Sequence, residues 1–216
     1  MMTALPRRQF LALTTAAAVL PGAALAAPVP AISPADQALV DRAVAYLQDM
    51  GEVRARFTQT DGRGAPSQGT VWLKRPGKAR FAYDPPSGLL VVSNGITVSV
   101  ADSRLKTFDA YALGATPLSL FLAKTIRLDK GVVVTRVARQ ADGLTITARD
   151  GKKQTAGEIT LTFREAPLTL DGWSVTDAQG RVVRVQLSGL TRVGGLDPGL
   201  FELKDPRPKN PGRGKS

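Results

Sequence analysis

The sequence predicts a mainly β protein with helices, of the α+β class, in which one antiparallel sheet curls into a barrel or half-barrel. Three observations favour this fold. Short β-prone runs recur along most of the chain, turn-forming residues separate them, and only two segments carry the signals of a substantial helix. A sheet of about eleven strands is too large to stay flat, so we expect the helices to cover its open side.

The first helix is predicted by a start signal, an apolar stripe and a stop signal. Ser33 is suited to cap the helix, Pro34 to open its first turn, and Asp36 to complete a capping box in place of the usual Glu. Gly51 marks the end of the helix. The helix should lie on a hydrophobic surface, because apolar residues recur at helical spacing. These residues are Leu39, Val40, Ala43, Val44, Leu47 and Met50.

From Val53 onward the pattern changes to the two-residue period of β-strands, with breaks at residues that form turns. Asn94-Gly95, between two apolar runs, is the strongest signal for a tight hairpin. The predicted strands cover 53–60, 69–75, 78–84, 89–93, 96–101, 104–109, 131–138, 143–149, 157–164, 169–176 and 181–189, with a short segment at 200–203.

A second helix is predicted to interrupt the strands. Thr116 is suited to cap it and Pro117 to open its first turn. Leu118, Phe121 and Leu122 then fall on one face of the helix, which should be turned towards an apolar surface.

The chain begins with the pattern of an export signal. Arg7 and Arg8 precede an uncharged apolar run over 10–20, and residues 24–26 form a small-x-small cleavage site. The run of about 11 residues is shorter than the about 20 that span a bilayer. The arginine pair fits a twin-arginine signal or a Sec signal, and both predict a periplasmic protein. No cysteine lies at the cleavage site, so we expect no lipid anchor.

Three regions follow from these patterns. Residues 1–26 are predicted to be the export signal. Residues 27–203 are predicted to form a single domain, because they contain no long repeat and no internal linker. Residues 204–216 contain five basic residues and one acidic residue among Pro and Gly, which predicts a basic, flexible tail.

The composition excludes most catalytic chemistry. The sequence has no histidine and no cysteine, so it lacks the groups of a catalytic triad, a zinc finger or an iron–sulfur cluster. No motif pairs two carboxylates or a serine with a lysine. We therefore predict that the protein is not an enzyme and needs no metal or cofactor. Its net charge of +11 favours an anionic lipid surface or an acidic partner protein over nucleic acid in the periplasm, with solubility as the alternative explanation.

An ordered set of motifs resembles the outer-membrane lipoprotein carrier family, LolA. In the family the set consists of a phenylalanine-x-glutamine strand, an Arg-Pro hairpin, a valine-serine-acid-glycine turn and a Thr-Pro-Leu helix start. Together they cover about 60 residues closely. In this sequence the motifs are Phe57-Thr58-Gln59, the run 69–81 with Arg75-Pro76-Gly77, Tyr83, Pro85, Val91-Val92-Ser93-Asn94-Gly95 and Thr116-Pro117-Leu118.

The resemblance implies an unclosed β-barrel, lidded by helices, that encloses an apolar cavity. It also implies a periplasmic chaperone that carries acylated lipoproteins from an inner-membrane ABC exporter to an outer-membrane acceptor or anionic lipid surface, and we expect a monomer. Exposing an acyl chain of about 16 carbons to water costs roughly 12 kcal/mol, at about 0.8 kcal/mol per methylene. Such cargo cannot cross water unsheltered.

The resemblance also assigns candidate site residues. Arg75 matches the family arginine that holds the empty carrier closed by donating hydrogen bonds to carbonyl groups of the lid, and Arg80 is a candidate second ordering residue. The alternatives are an ordinary turn arginine and a solvated strand arginine. The lid candidates are Leu118, Phe121 and Leu122, and the candidate lining residues of the acyl cavity are Trp72 and Tyr83. The alternative for all five is ordinary packing in the core.

Two positions depart from the family pattern. Asn94 stands where an acid is common, and Ala101 where an aromatic residue often precedes the aspartate at 102. These changes keep open a carrier of non-protein lipid with the same fold. Because one fold can serve several functions, a periplasmic sensor or scaffold protein is a second alternative.

Overall fold

The computed structural model describes residues 32–116, 118–126, 132–151 and 157–206. Eleven strands form one antiparallel sheet in the order β6-β5-β4-β3-β2-β1-β11-β10-β9-β8-β7. The strands are β1 (Glu52–Thr60), β2 (Pro66–Lys74), β3 (Lys78–Tyr83), β4 (Leu89–Asn94), β5 (Thr97–Asp102), β6 (Thr107–Ala112), β7 (Val132–Gln140), β8 (Gly143–Asp150), β9 (Glu158–Arg164), β10 (Thr169–Thr176) and β11 (Val182–Arg192).

The sheet is an unclosed barrel, as predicted. The chain runs as two meanders, β1 to β6 and β7 to β11, which meet where β1 pairs with β11. Strands β6 and β7 stand at the two outer ends of this order. One face of the sheet carries the main hydrophobic core and is called the concave face; the opposite face is called the convex face.

Helix α1 (Pro34–Asp49) confirms the predicted start and stop signals. The Asp36 amide donates to Ser33 Oγ at 3.1 Å, and Ser33 Oγ donates to an Asp36 carboxylate oxygen at 2.8 Å, so the capping box forms with Asp. Gly51, which follows the C-cap residue Met50, has a φ of +63°, which glycine adopts without strain. Val40, Ala43 and Leu47 are buried against the concave face.

Several of the predicted elements have different bounds in the structure: β2 begins at Pro66 and β11 ends at Arg192, each three residues beyond the predicted strand. Local hydrogen bonds explain two further differences. Strand β6 begins at Thr107, because Asp102 Oδ1 accepts from the amides of Arg104 and Leu105 and holds residues 103–106 in a turn. Of the segment predicted as a strand at 200–203, residues 200 and 201 instead belong to a 3₁₀ helix, Pro198–Phe201, and Glu202 and Leu203 to no regular element. Asp197 caps this helix by accepting from the Gly199 amide at 2.8 Å.

The second helix, α2 (Ser119–Leu122), has only four residues, so it is shorter than predicted. Thr116 does not cap it: its hydroxyl donates to the Leu113 carbonyl at 2.8 Å, at the end of a preceding 3₁₀ turn, Leu113–Ala115. Pro117 lies outside the described residues. Within the described ranges, the structure contains no helix long and apolar enough to cross a membrane.

The predicted Asn94-Gly95 hairpin joins β4 to β5. Asn94 Oδ1 accepts from the amides of Ile96 and Thr97, both at 2.9 Å, and Gly95 has a φ of +101°. Ser93 pairs with Val98, so four residues lie between the last paired positions and the connection is longer than the tightest two-residue turn.

Candidate functional site

An apolar cavity of about 270 Å³ lies on the concave face. Strand alternation explains its walls, since side chains two residues apart on a strand share a face. Phe81 and Tyr83 project from β3, Trp173 and Val175 from β10, and none of the lining residues is charged. The full lining is Gln59, Phe81, Tyr83, Val91, Thr116, Leu118, Trp173, Val175, Val183 and Val185.

Tyr83 brings one of the few polar groups to this cavity. Its hydroxyl donates to Gln59 Oε1 at 2.8 Å. Burial raises the pKa of Tyr83 to about 12, with the hydrogen bond to Gln59 acting in the opposite direction. The phenol is therefore neutral near pH 7, and the cavity wall stays uncharged.

A row of aromatic rings crosses the concave face beside the cavity. The ring centroids of Tyr83 and Phe57 are 5.0 Å apart, those of Phe57 and Phe81 5.6 Å, and those of Phe81 and Trp173 6.0 Å, all in edge-to-face geometry. The ring of Phe121 continues the row at 5.3 Å from Trp173. Phe121 belongs to α2, so this short helix is packed directly against the cavity wall.

Residues 118–123, called the lid, contain α2 and its two flanking residues. Leu118 lines the cavity, and Phe121 and Leu122 are buried, so the structure brings the three predicted lid residues together. Leu120 is buried as well. The prediction of one apolar helix face did not include Leu120, because α2 is buried on more than one side. Leu120 and Phe121 line a second gap, of about 30 Å³, together with residues of α1.

The turn between β2 and β3, residues 75–77, is called the latch hairpin because it holds the end of the lid. Arg75 Nη1 donates to the Phe121 carbonyl at 2.5 Å, and Arg75 Nη2 donates to the Ala123 carbonyl at 2.7 Å. The Gly77 amide donates to the carbonyl of Leu122 at 2.8 Å. Three consecutive carbonyls at the C-terminal end of α2 are thus satisfied by the latch hairpin.

The chemistry of a helix end explains why arginine suits this position. The last carbonyls of a helix have no partner within the helix and carry partial negative charge. A planar guanidinium can donate to two of them at once. Partial burial lowers the pKa of Arg75, but arginine remains protonated in proteins, so the charge is present at the lid.

Arg80 lies on the other side of the sheet. Its neighbours Ala79 and Phe81 are buried in the main core, so alternation directs Arg80 to the convex face. There Arg80 Nη1 donates to the Leu200 carbonyl at 3.0 Å and holds the C-terminal 3₁₀ helix. Arg80 is therefore bonded to the C-terminal segment and, among the described residues, forms no hydrogen bond with the lid.

Trp72 requires a correction, because it does not line the cavity. Val71 and Leu73 are buried in the core, so Trp72 between them points to the convex face. The Arg54 guanidinium carbon lies 5.8 Å from the centroid of the Trp72 ring, a cation–π arrangement. The aromatic residues that line the cavity with Tyr83 are Phe81 and Trp173, and Trp173 shares a face with Val175 in the two-residue pattern of the predicted 169–176 strand.

Comparison with known proteins places these features in a family. The family model described as "Outer membrane lipoprotein carrier protein LolA" matches residues 48–204. A relative from Chromobacterium violaceum, named outer-membrane lipoprotein carrier protein, is 28% identical over 198 residues, which cover 88% of this chain and 93% of the relative. A relative of the same name from Azotobacter vinelandii is 28% identical over 82% of this chain and 89% of its own length.

Among solved structures, the chain is similar to a LolA superfamily protein from Nitrosomonas europaea. The two share 9% identity over 78% of this chain and 97% of that chain, with a TM-score of 0.44. Because the family model spans most of the sequence, including the latch hairpin, the lid and the cavity-lining strands, the chain belongs to the LolA family of outer-membrane lipoprotein carriers.

Proposed function

We propose that this protein is a periplasmic chaperone that carries lipoproteins by sheltering their acyl chains on the concave face. In this proposal residues 1–26 direct export, residues 27–203 form the carrier domain, and residues 204–216 form a basic tail. An inner-membrane ABC exporter supplies the cargo, and an outer-membrane acceptor or anionic lipid surface receives it. The names of the relatives support the cargo class.

The observation that carries the proposal is an uncharged, apolar cavity next to a lid held by a few hydrogen bonds. The cavity of 270 Å³ is just below the roughly 300–1,000 Å³ of typical ligand sites. A long acyl chain therefore needs the lid to move, and in this proposal the hydrogen bonds between the latch hairpin and the lid belong to the closed form.

Opening of the lid would enlarge this space considerably. Leu118 and Phe121 both border apolar cavities, so moving the lid away would join the 270 Å³ cavity to the gap under α1. A carrier must also release its load, which requires a closed form favoured by only a few kcal/mol. Hydrogen bonds from one arginine and one amide are of that order.

Mass spectrometry of material bound to the purified protein tests this function. The full precursor is expressed in a Gram-negative host, the mature protein is purified from the periplasm, and bound molecules are extracted. We expect acylated N-terminal peptides of lipoproteins. Free phospholipid or fatty acid alone would favour a carrier of non-protein lipid, and the absence of any acyl chain would contradict both carrier functions.

A further inference from the structure

The latch hairpin rests on the turn between β4 and β5 through one buried serine. Ser93 is only 2% exposed, and its Oγ donates to the Gly77 carbonyl at 2.6 Å. The Gly95 amide lies 3.4 Å from the same Oγ and donates to it. The Ser93 hydroxyl therefore links the latch hairpin to the β4–β5 turn.

Gly77 connects this serine to the lid. Its carbonyl accepts from Ser93, while its amide donates to the Leu122 carbonyl at 2.8 Å. Ser93 itself is absent from the cavity lining and from the hydrogen bonds of the lid among the described residues. Any effect of Ser93 on the lid must pass through the latch hairpin.

The backbones of the two turns are also in close contact. A Cβ added to Gly77 would lie 2.7 Å from the Gly95 Cα, closer than real Cβ atoms approach. Gly77 has a φ of +75°, which also favours glycine. Contact with Gly95 prevents the latch hairpin from moving towards the β4–β5 turn, and the Ser93 hydrogen bond prevents it from moving away.

We infer that Ser93 is a positioning residue of the lid: it fixes the latch hairpin in the orientation in which the Gly77 amide and the Arg75 guanidinium meet the three lid carbonyls. The β4–β5 turn is thus part of the device that keeps the cavity closed. The inference rests on the proposed function, because the lid matters only if its opening admits cargo.

Amide hydrogen exchange of the full mature chain tests the inference without any ligand. Loss of the hydroxyl in Ser93→Ala should speed exchange of the Gly77 amide about tenfold, the factor expected for one lost buried hydrogen bond. Amides within the β2–β3 ladder should keep their protection. Unchanged exchange at Gly77, or equal loss of protection throughout β2 and β3, would overturn the inference.

Ser103→Ala is the matched control. Ser103 Oγ also donates to a glycine carbonyl, that of Gly88 at 3.3 Å, but it lies in the β5–β6 turn and away from the latch hairpin. Its substitution should leave Gly77 exchange unchanged. An equal effect of both variants would show a general loosening of the sheet and would also overturn the assignment.

Uptake of a fluorescent fatty acid then connects the serine to the lid. Ser93→Ala should speed uptake several-fold in the natural background but less in an Arg75→Leu background, because both changes act on the same latch hairpin. If Ser93→Ala speeded uptake equally in the two backgrounds, Ser93 and Arg75 would not act through the same latch hairpin. If no variant binds the probe, the carrier function fails, while the exchange result at Gly77 still decides the role of Ser93.

Discussion

Arg75 lies in a turn, where most arginines contribute little, yet it donates to two lid carbonyls. Hydrogen bonds from a charged donor contribute about 1.5–3 kcal/mol each. Two of them give the latch a free energy comparable to the few kcal/mol that a reversible lid requires. The importance of Arg75 therefore comes from its partners and not from its own burial.

Arg75→Leu should open the lid without unfolding the sheet. We expect fluorescent fatty acid uptake to become at least about tenfold faster, since about 1.4 kcal/mol of closing free energy corresponds to tenfold. Stopped-flow fluorescence measures the rate. Arg63→Leu, at an exposed turn position, serves as the control and should behave like the natural protein. Equal uptake rates in all three proteins would refute the role of Arg75.

Tyr83 gives a pH-dependent prediction. Its folded-state pKa of about 12 lies above the ordinary value of 10, so the folded state holds the proton more tightly than the unfolded state. The resulting stability is fully present below pH 10 and is lost as the pH rises towards 12. Urea unfolding at pH 8 and pH 11 should show that the free energy of unfolding falls less between these two pH values in Tyr83→Phe than in the natural protein. An identical loss would argue that Tyr83 titrates normally.

At the scale of elements, the two faces of the sheet carry different structures. The concave face holds the cavity, the lid and α1. On the convex face, the C-terminal 3₁₀ helix packs against β3 and β4, and Phe201 and Val92 are buried outside the main core cluster. We therefore expect the convex cluster to stabilise the sheet without controlling the lid.

Phe201→Ala tests whether the convex cluster stabilises the sheet without controlling the lid. Phe201 is 1% exposed, and truncation of a buried phenylalanine costs about 3–5 kcal/mol. Urea unfolding should show this loss, whereas fatty acid uptake at a temperature that keeps the variant folded should be unchanged. Leu105→Ala is the control, because Leu105 is 70% exposed and its loss should change neither measurement. Faster uptake in Phe201→Ala would mean that the two faces are coupled.

Most elements could be predicted from the sequence because their signals are local. The capping box of α1 and the period of the strands involve residues within one turn or one strand. The lid contacts could not be derived this way, since Arg75 and Ala123 are 48 residues apart and meet only in the folded sheet. The resemblance to the LolA family gave Arg75 a role. Its motifs also contain Ser93 and Gly77, but they gave these two residues no role, and the hydrogen bond between them forms only in the folded sheet.

The direction of strand faces explains the error at Trp72. Alternation shows that residues two apart share a face, but it does not say which face is concave. Trp72 and Tyr83 belong to opposite sets, and only the burial of Val71 and Leu73 reveals that Trp72 points outward. The strand prediction for 200–203 was wrong for a related reason. Asp197-Pro198 starts a 3₁₀ helix, and a short apolar run alone does not distinguish such a helix from a strand.

At the scale of the whole molecule, the net charge of +11 predicts electrostatic attraction to anionic surfaces. Truncation after Asp205 removes four of the basic residues. We expect weaker binding to phosphatidylglycerol-containing vesicles at low salt and little difference at high salt, because exposed charges are screened within about 10 Å at 0.1 M. Vesicle sedimentation measures the binding. If the truncated and the natural protein bound the vesicles equally well at low salt, the tail would serve solubility alone.

The pairing of β1 with β11 joins strands from opposite ends of the sheet-forming sequence, so the cavity is complete only when β11 has been made. The first meander supplies Phe81 and Tyr83 to the cavity, and the second supplies Trp173 and Val185. Neither meander alone supplies the whole cavity lining, and the two join only through β11, the last strand in the part of the chain that the structure describes. Under the proposed carrier function, a chain that still lacks β11 therefore has no complete shelter for cargo, so loading must await the synthesis of this strand.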